Sequence, residues 1–165
     1  MSNVEGMDTT TTASPDTTTT ATGRPTASLA VANCFLVVDD HDKALTFYRD
    51  VLDFTVTQDV TRGEFRWLSV SPPRQPDLEI TIQSVGIYPG CSDDDRAAMD
   101  TLLAKGLLSP LIFRCDDVDA LFEHVRAAGA EVLQEPMDQF YGVRDCAFRD
   151  PAGNMLRFNT KLPRT

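Results

Sequence analysis

The stretch Tyr141-Gly142-Val143-Arg144-Asp145-Cys146-Ala147-Phe148-Arg149-Asp150-Pro151-Ala152-Gly153-Asn154-Met155-Leu156 constrains the chain more than any other. Residues 150–154 are a turn signal: aspartate caps its own backbone, proline presets φ, and glycine supplies a positive φ before the next strand. A weaker copy lies earlier, where Ser71-Pro72-Pro73 separates strand patterns at 65–70 and 78–83. Asp39-Asp40 precedes one helical pattern, and Asp116-Asp117 precedes another 116 − 39 = 77 positions later. Punctuation repeated at that spacing predicts a duplicated module.

Each copy reads as β-α-β-β-β. The first has a strand over 32–38, then a helix over 40–51 whose apolar positions Ala44, Leu45, Tyr48, Val51 and Leu52 recur at helical spacing. Strands over 54–60, 64–71 and 78–83 follow. The second has strands over 108–115, 131–138, 143–149 and 155–159, and a helix over 118–128 stopped by Gly129. Between them, residues 84–107 form an acidic linker with Asp93-Asp94-Asp95 before a short helix that ends near Lys105-Gly106. The expected fold class is α+β, with modules at 30–83 and 108–160. An antiparallel sheet covered by one helix leaves its other face open, so the two sheets should curl into a half-barrel around a cavity. Residues 1–27, with threonine runs at 9–12 and 17–20, cannot build a core and are expected to be a disordered tail.

A formal net charge of −10 argues against nucleic-acid and membrane-surface partners. No apolar run approaches the ~20 residues of a membrane span, and the first residues lack the pattern of a signal peptide. Cys34, Cys91, Cys115 and Cys146 are scattered without metal-like or redox-like pairing. A cytoplasmic protein with spectator thiols is expected.

The segment from Phe35 to Tyr48, followed by Val51-Leu52-Asp53-Phe54, resembles the opening of vicinal oxygen chelate proteins, and Arg149-Asp150-Pro151-Ala152-Gly153-Asn154 resembles their closing hairpin. That superfamily includes glyoxalase I, extradiol dioxygenases, and the fosfomycin and bleomycin resistance proteins. The resemblance covers residues 30 to 160 and implies a fold rather than one chemistry.

Strand alternation nominates cavity residues. If the apolar members of 77–83 face the helix, Glu79, Thr81 and Gln83 face the cavity. The same logic sends Phe65, Trp67 and Ser69, and then Met155, Arg157 and Asn159, inward. The hairpin echo adds Arg144, Cys146 and Phe148. Alignment with the family adds Asn33, Phe35 and Val37, and Pro110, Ile112 and Arg114. The positions matching the four metal ligands of metal-dependent relatives are Asn33, Glu79, Pro110 and Arg157. Only Glu79 is a good ligand, because proline has no side-chain donor and a guanidinium repels a cation. No metal or cofactor is therefore expected, and an ion pair between Glu79 and Arg157 is expected in the vacated space. His41 and His124 are expected on helix surfaces.

Three functions remain open. The first is a bleomycin-resistance-like protein binding a small anionic or aromatic molecule. Phe35, Trp67 and Tyr141 would give flat contact, Asn33 a neutral hydrogen-bonding group, and Arg114, Arg144 and Arg157 would fix an anionic group. The second is an isomerase or lyase with Glu79 as general base. The third is a divalent-metal-dependent glyoxalase or dioxygenase with unusual ligands. Tyr141-Gly142 reads either as a rim over the pocket or as an ordinary hairpin turn. Exposed sheet edges and an open concave face predict a homodimer, and the resemblance implies the same.

Overall fold

Both predicted rounds of β-α-β-β-β are present in a computed structural model, which describes residues 30–108 and 110–163. The tail expected over 1–27 lies outside the described residues. The first round comprises β1 (Asn33–Val38), α1 (His41–Thr46), β2 (Thr55–Arg62), β3 (Phe65–Ser71) and β4 (Glu79–Ser84). Helix α2 (Asp93–Ala104) links it to β5 (Leu111–Arg114), α3 (Val118–Ala127), β6 (Glu131–Gln139), β7 (Val143–Arg149) and β8 (Met155–Lys161). The strands make two four-stranded sheets, ordered β1-β4-β3-β2 and β5-β8-β7-β6. In each, the opening strand joins in parallel and the other neighbours are antiparallel, so both sheets are mixed and no barrel closes.

Helix starts are fixed by the aspartates that the repeat pointed to. Asp40 Oδ1 accepts from the amides of Asp42 and Lys43 at 2.9 and 3.0 Å, and Asp117 Oδ1 accepts from Ala120 at 3.0 Å. After α1 the chain widens into a π-helical turn, Phe47–Val51, which brings the consecutive rings of Phe47 and Tyr48 both into the core. The linker helix is longer than the sequence suggests, with 12 residues opened by a capping box between Ser92 and Asp95.

The two modules are joined through the turn at 150–154. Asp150 is buried, and its Oδ1 accepts from the amides of Ala152 and Asn154 at 3.0 and 2.8 Å. Its Oδ2 accepts from Asn154 Nδ2 at 3.0 Å and from the Tyr48 hydroxyl of the first module at 2.8 Å. Asn154 Nδ2 also donates to the Val37 carbonyl at 2.9 Å. Burial, and then the neighbouring Asp150 charge, push the Tyr48 hydroxyl well above its ordinary pKa, so it stays a donor. Phe54 packs edge-on against Phe113 at 5.5 Å, and His124 on α3 reaches the Val51 carbonyl at 2.9 Å.

Gly153 serves this turn in two ways. Its φ of 101° is strained for any other residue, and a Cβ there would lie 2.7 Å from the Leu103 carbonyl at the end of α2. Gly153→Ala should therefore lower the denaturant-unfolding free energy by about 2 kcal/mol or more. Tyr48→Phe, which removes one of the two donors to Oδ2 of a buried carboxylate, should lower it by about 1–3 kcal/mol. A Gly153→Ala protein as stable as wild type would contradict this account of the turn.

Candidate functional site

On the first sheet, Leu36, Val38, Leu68, Val70, Ile80 and Ile82 are buried in the core with Ala44, Phe47 and Tyr48. Their alternates share the opposite face. Asn33 lies across from Glu79, Phe35 from Thr81, Val37 from Gln83, and Ser69 from Thr81. Asn33, Phe35, Trp67 and Glu79 are thus brought to one face. Its floor is polar: Asn33 Nδ2 donates to Thr81 Oγ1 at 2.8 Å, Ser69 and Thr81 hydroxyls meet at 3.0 Å, and Gln83 Nε2 donates to the Tyr88 hydroxyl at 2.8 Å. Ser69, Ser71, Thr81 and Gln83 are all buried.

Among the described residues, three buried atoms of this face have no hydrogen-bond partner: Asn33 Oδ1, Trp67 Nε1 and Ser71 Oγ. Buried polar atoms are normally satisfied, so such atoms on one open face mark where an outside group can complete them. Aromatic rings stand over the floor. Trp67 lies 6.5 Å from Phe35, nearly perpendicular, and 6.2 Å from Phe65, and both phenylalanines remain about half exposed (50% and 42%). No basic residue occupies a position of this face on β1, β3 or β4.

On the second sheet, Ile112 lies across from Arg157, and Arg114 and Asp145 from Asn159. Asp145, only 1% exposed, is surrounded by donors. Arg157 Nη1 reaches it at 2.7 Å, Gln134 Nε2 at 2.7 Å, Gln139 Nε2 at 2.8 Å and the Tyr141 hydroxyl at 3.2 Å. Burial alone would raise its carboxyl. The hydrogen bonds from Gln139, Arg157 and Gln134 outweigh that and hold it below the usual carboxylate range.

Three expectations are corrected here. Arg144, Cys146 and Phe148 do not face the cavity. Phe148 packs in the core 5.3 Å from Phe122 of α3 and 6.3 Å from Phe158, Cys146 is buried beside them, and Arg144 grips Asp119 of α3 at 2.8 Å and Asp138 at 2.9 Å. The alternation in Cys146-Ala147-Phe148 contained the correct register, because the larger apolar pair belongs under the helix. The Glu79–Arg157 pair is replaced by Asp145–Arg157, a direct consequence of that one-residue shift. His41 is half-buried rather than on the surface; its Nε2 has no partner, and burial, followed by the Arg66 charge, lowers its pKa. Asp145, Gln134 and Gln139 were missed as a site cluster.

Tyr141 lies in the β6–β7 hairpin turn, closed by Gly142 donating its amide to the Gln139 carbonyl at 3.0 Å. Arg114 lies at a cleft of about 700 Å³ between the modules, lined by Leu52, Phe54, Phe113 and Phe158 and bridged by Arg74 and Asp116 at 2.5 Å. The positions matching the family's metal ligands do not make a cation site. Asn33 is tied to Thr81, Pro110 has no donor, and Arg157 brings a positive charge already held by Asp145. Among the described residues, no three His, Cys, Asp or Glu side chains converge as metal ligands. The cysteines are free, and burial pushes the Cys146 thiol up to about 12, which makes it unreactive at neutral pH.

Residues 30–158 match the family model described as Glyoxalase/Bleomycin resistance protein/Dioxygenase superfamily. Among solved structures, UcmS2 is 33% identical with a TM-score of 0.72, over 79% of this chain and 97% of that one. TnmS3, an antibiotic binding protein from Streptomyces sp. CB03234, is 27% identical with a TM-score of 0.64, over 82% of this chain and 98% of that one. The uncharacterized protein YurT of Bacillus subtilis (strain 168) is 27% identical over 127 residues, which are 76% of this chain and 94% of that protein.

The corrected pairing changes the expected genetics. Arg157→Met leaves a buried carboxylate under-compensated and should destabilise the protein by about 2 kcal/mol. Adding Asp145→Asn should recover part of that loss, whereas adding Glu79→Gln should not. Because the Asp145 pKa is depressed on folding, its contribution is complete above about pH 4, the unfolded-state value, and fades as pH falls through the lower folded value. Urea titrations from pH 5 to pH 2 should show a shallower acid loss for Asp145→Asn than for wild type. Parallel acid profiles would contradict the role given to this carboxylate.

Proposed function

The chain belongs to the glyoxalase/bleomycin resistance protein/dioxygenase superfamily, and on that premise we propose that it binds a small aromatic molecule in a site that uses no metal. The observation that carries this reading is the Phe35–Trp67–Phe65 cluster standing over a buried floor with three unsatisfied polar atoms. Flat rings supply apolar contact, and a few fixed polar groups set orientation, which is the usual composition of a small-molecule site. The likeness to TnmS3 supports binding rather than turnover as the activity. Glu79 is read as a ligand contact rather than a general base, since among the described residues no side chain hydrogen-bonds its carboxylate to relay a proton. The anionic alternative is left with Arg114 out of the three nominated arginines, since Arg144 is engaged with α3 and Arg157 with Asp145.

We further propose that the pocket is completed in a homodimer. The contacts joining the modules include the Phe54–Phe113 rings, the Tyr48–Asp150 bond and the His124–Val51 bond, all made by the helices, the turns and the core. Among the described residues, Phe35, Phe65 and Ile112 on these faces remain exposed, and β1 and β5 are edge strands. Pairing of one protomer's first sheet with its partner's second would bring Arg114, Tyr141 and the Asp145–Arg157 cluster opposite the aromatic face.

Two measurements test these statements. The single tryptophan, Trp67, reports directly on the site, so a panel of polycyclic aromatic compounds should include members that quench its emission saturably. Phe35→Ala should weaken those members by about tenfold. Elemental analysis of protein purified without chelator should find no stoichiometric divalent metal, and finding one would overturn the metal-free reading. Sedimentation at micromolar concentration should give twice the chain mass. A monomer would remove the shared-pocket proposal.

A further inference from the structure

From the charge pattern of the first sheet we infer that the ligand is a cation, an aromatic body carrying a protonated amine, with the ammonium received by Glu79 and Asn33. This rests on the aromatic-binding reading above and assigns the charge that reading leaves open. Three observations converge. The first is that β1, β3 and β4 bring a carboxylate and no basic residue to this face, while Arg62 of β2 stands beside Phe65, three rows of the sheet away from Glu79, so an anionic group placed beside Glu79 would be repelled.

The second is the state of Asn33. Its Nδ2 is committed to Thr81, which leaves Oδ1, a buried acceptor, without a donor. Asn33 and Glu79 are cross-strand partners, so the two acceptors are neighbours on the same row of the sheet. Ser71, 2% exposed and with an unpartnered hydroxyl, lies on the same face of β3. An ammonium has three donors and no acceptor, which is the complement of a carboxylate, an amide oxygen and a hydroxyl oxygen.

The third is the aromatic cluster, which begins one row further on with Phe35 and continues to Trp67 in the row after it. Side chains on one face of a strand repeat about every 6.7 Å, so Phe35 stands about that far from the Asn33–Glu79 row. A ring system stacked on Phe35 and Trp67 can therefore carry its ammonium on a short arm to the acceptors. The aromatic faces add cation–π attraction along the way, which a neutral or anionic ligand does not receive. Long-range attraction from the net charge of −10 acts in the same direction, but it belongs to the whole surface rather than to this site.

The test uses three probes with one ring system and three charges: 9-(aminomethyl)anthracene, 9-anthracenemethanol and 9-anthracenecarboxylate, titrated into the full chain by calorimetry. The ammonium should bind at least about tenfold more tightly than the alcohol, and the carboxylate more weakly than either. Glu79→Gln, which keeps the side-chain shape, should bring the ratio of ammonium to alcohol affinity close to one. Asn33→Asp should increase it. Asp94→Asn, which removes one exposed charge from α2, should leave the preference intact. Equal losses from Asp94→Asn and Glu79→Gln would mean that overall charge, not this site, makes the choice, and would overturn the inference. A carboxylate binding as well as the ammonium would overturn the charge assignment alone. If none of the three binds, the aromatic-binding reading fails and takes this inference with it.

Discussion

Asp150 is the constraint on which the rest of the structure depends. One carboxylate accepts two amides of its own turn, an asparagine side chain and the hydroxyl of Tyr48 from the other module. An ionised carboxylate is tolerated in the interior only when its lone pairs are filled, and all four contacts here are donors. The same turn fixes the β7–β8 register and therefore decides which side chains of both strands share a face. Through Asn154 it also holds the Val37 carbonyl at the end of β1, so the aromatic face and the Asp145 cluster are both referred to one anchor. The end of α2 docks on that anchor through the close approach of Gly153 to Leu103.

Much of this architecture was legible in the sequence because its signals are local and repeated. The capping aspartates, the Asp-Pro-Ala-Gly-Asn turn and the apolar alternation of β3, β4 and β8 each act over a few residues, and each recurs in the other module or has a partner there. The β7 register was less legible. In Val143-Arg144-Asp145-Cys146-Ala147-Phe148-Arg149, arginines and apolar residues fall on both alternations, and the register taken from the hairpin echo put Arg144 inward. Packing decided otherwise: burying Phe148 between Phe122 and Phe158 outweighs turning a guanidinium toward a cavity. The π-helical turn at Phe47–Val51 had no sequence signal apart from two adjacent aromatic residues that both ended in the core.

The candidate site was legible to the same extent. Asn33, Phe35, Trp67 and Glu79 were nominated from alternation and family alignment, and they do share a face. The Asp145 cluster was not foreseen, because its members come from β6, β7, β8 and the hairpin turn, and only the register brings them together. Long-range polar networks of this kind have no fixed spacing in sequence, whereas a face of one strand does.

The separation of charge between the two sheets follows from these placements. Arg157 cannot act as a free cation while Asp145 accepts from it at 2.7 Å, and Asp145 cannot act as a free anion while four donors surround it. The cluster is closed on itself, and its electrostatic field is short-ranged. The first sheet is arranged in the opposite way, with a carboxylate and an amide oxygen that no donor among the described residues fills and with phenylalanine rings left about half exposed. A ligand meeting both surfaces would find a self-satisfied wall on one side and unfilled acceptors on the other. Recognition should then be decided on the Asn33–Glu79 side, with the Asp145 wall contributing shape and the Tyr141 ring rather than charge. On the proposed reading, a fold that hosts metal chemistry in other chains would bind here through side chains alone: one of the positions matching the metal ligands already carries the Arg157 guanidinium, and the acceptors left over would meet the ligand.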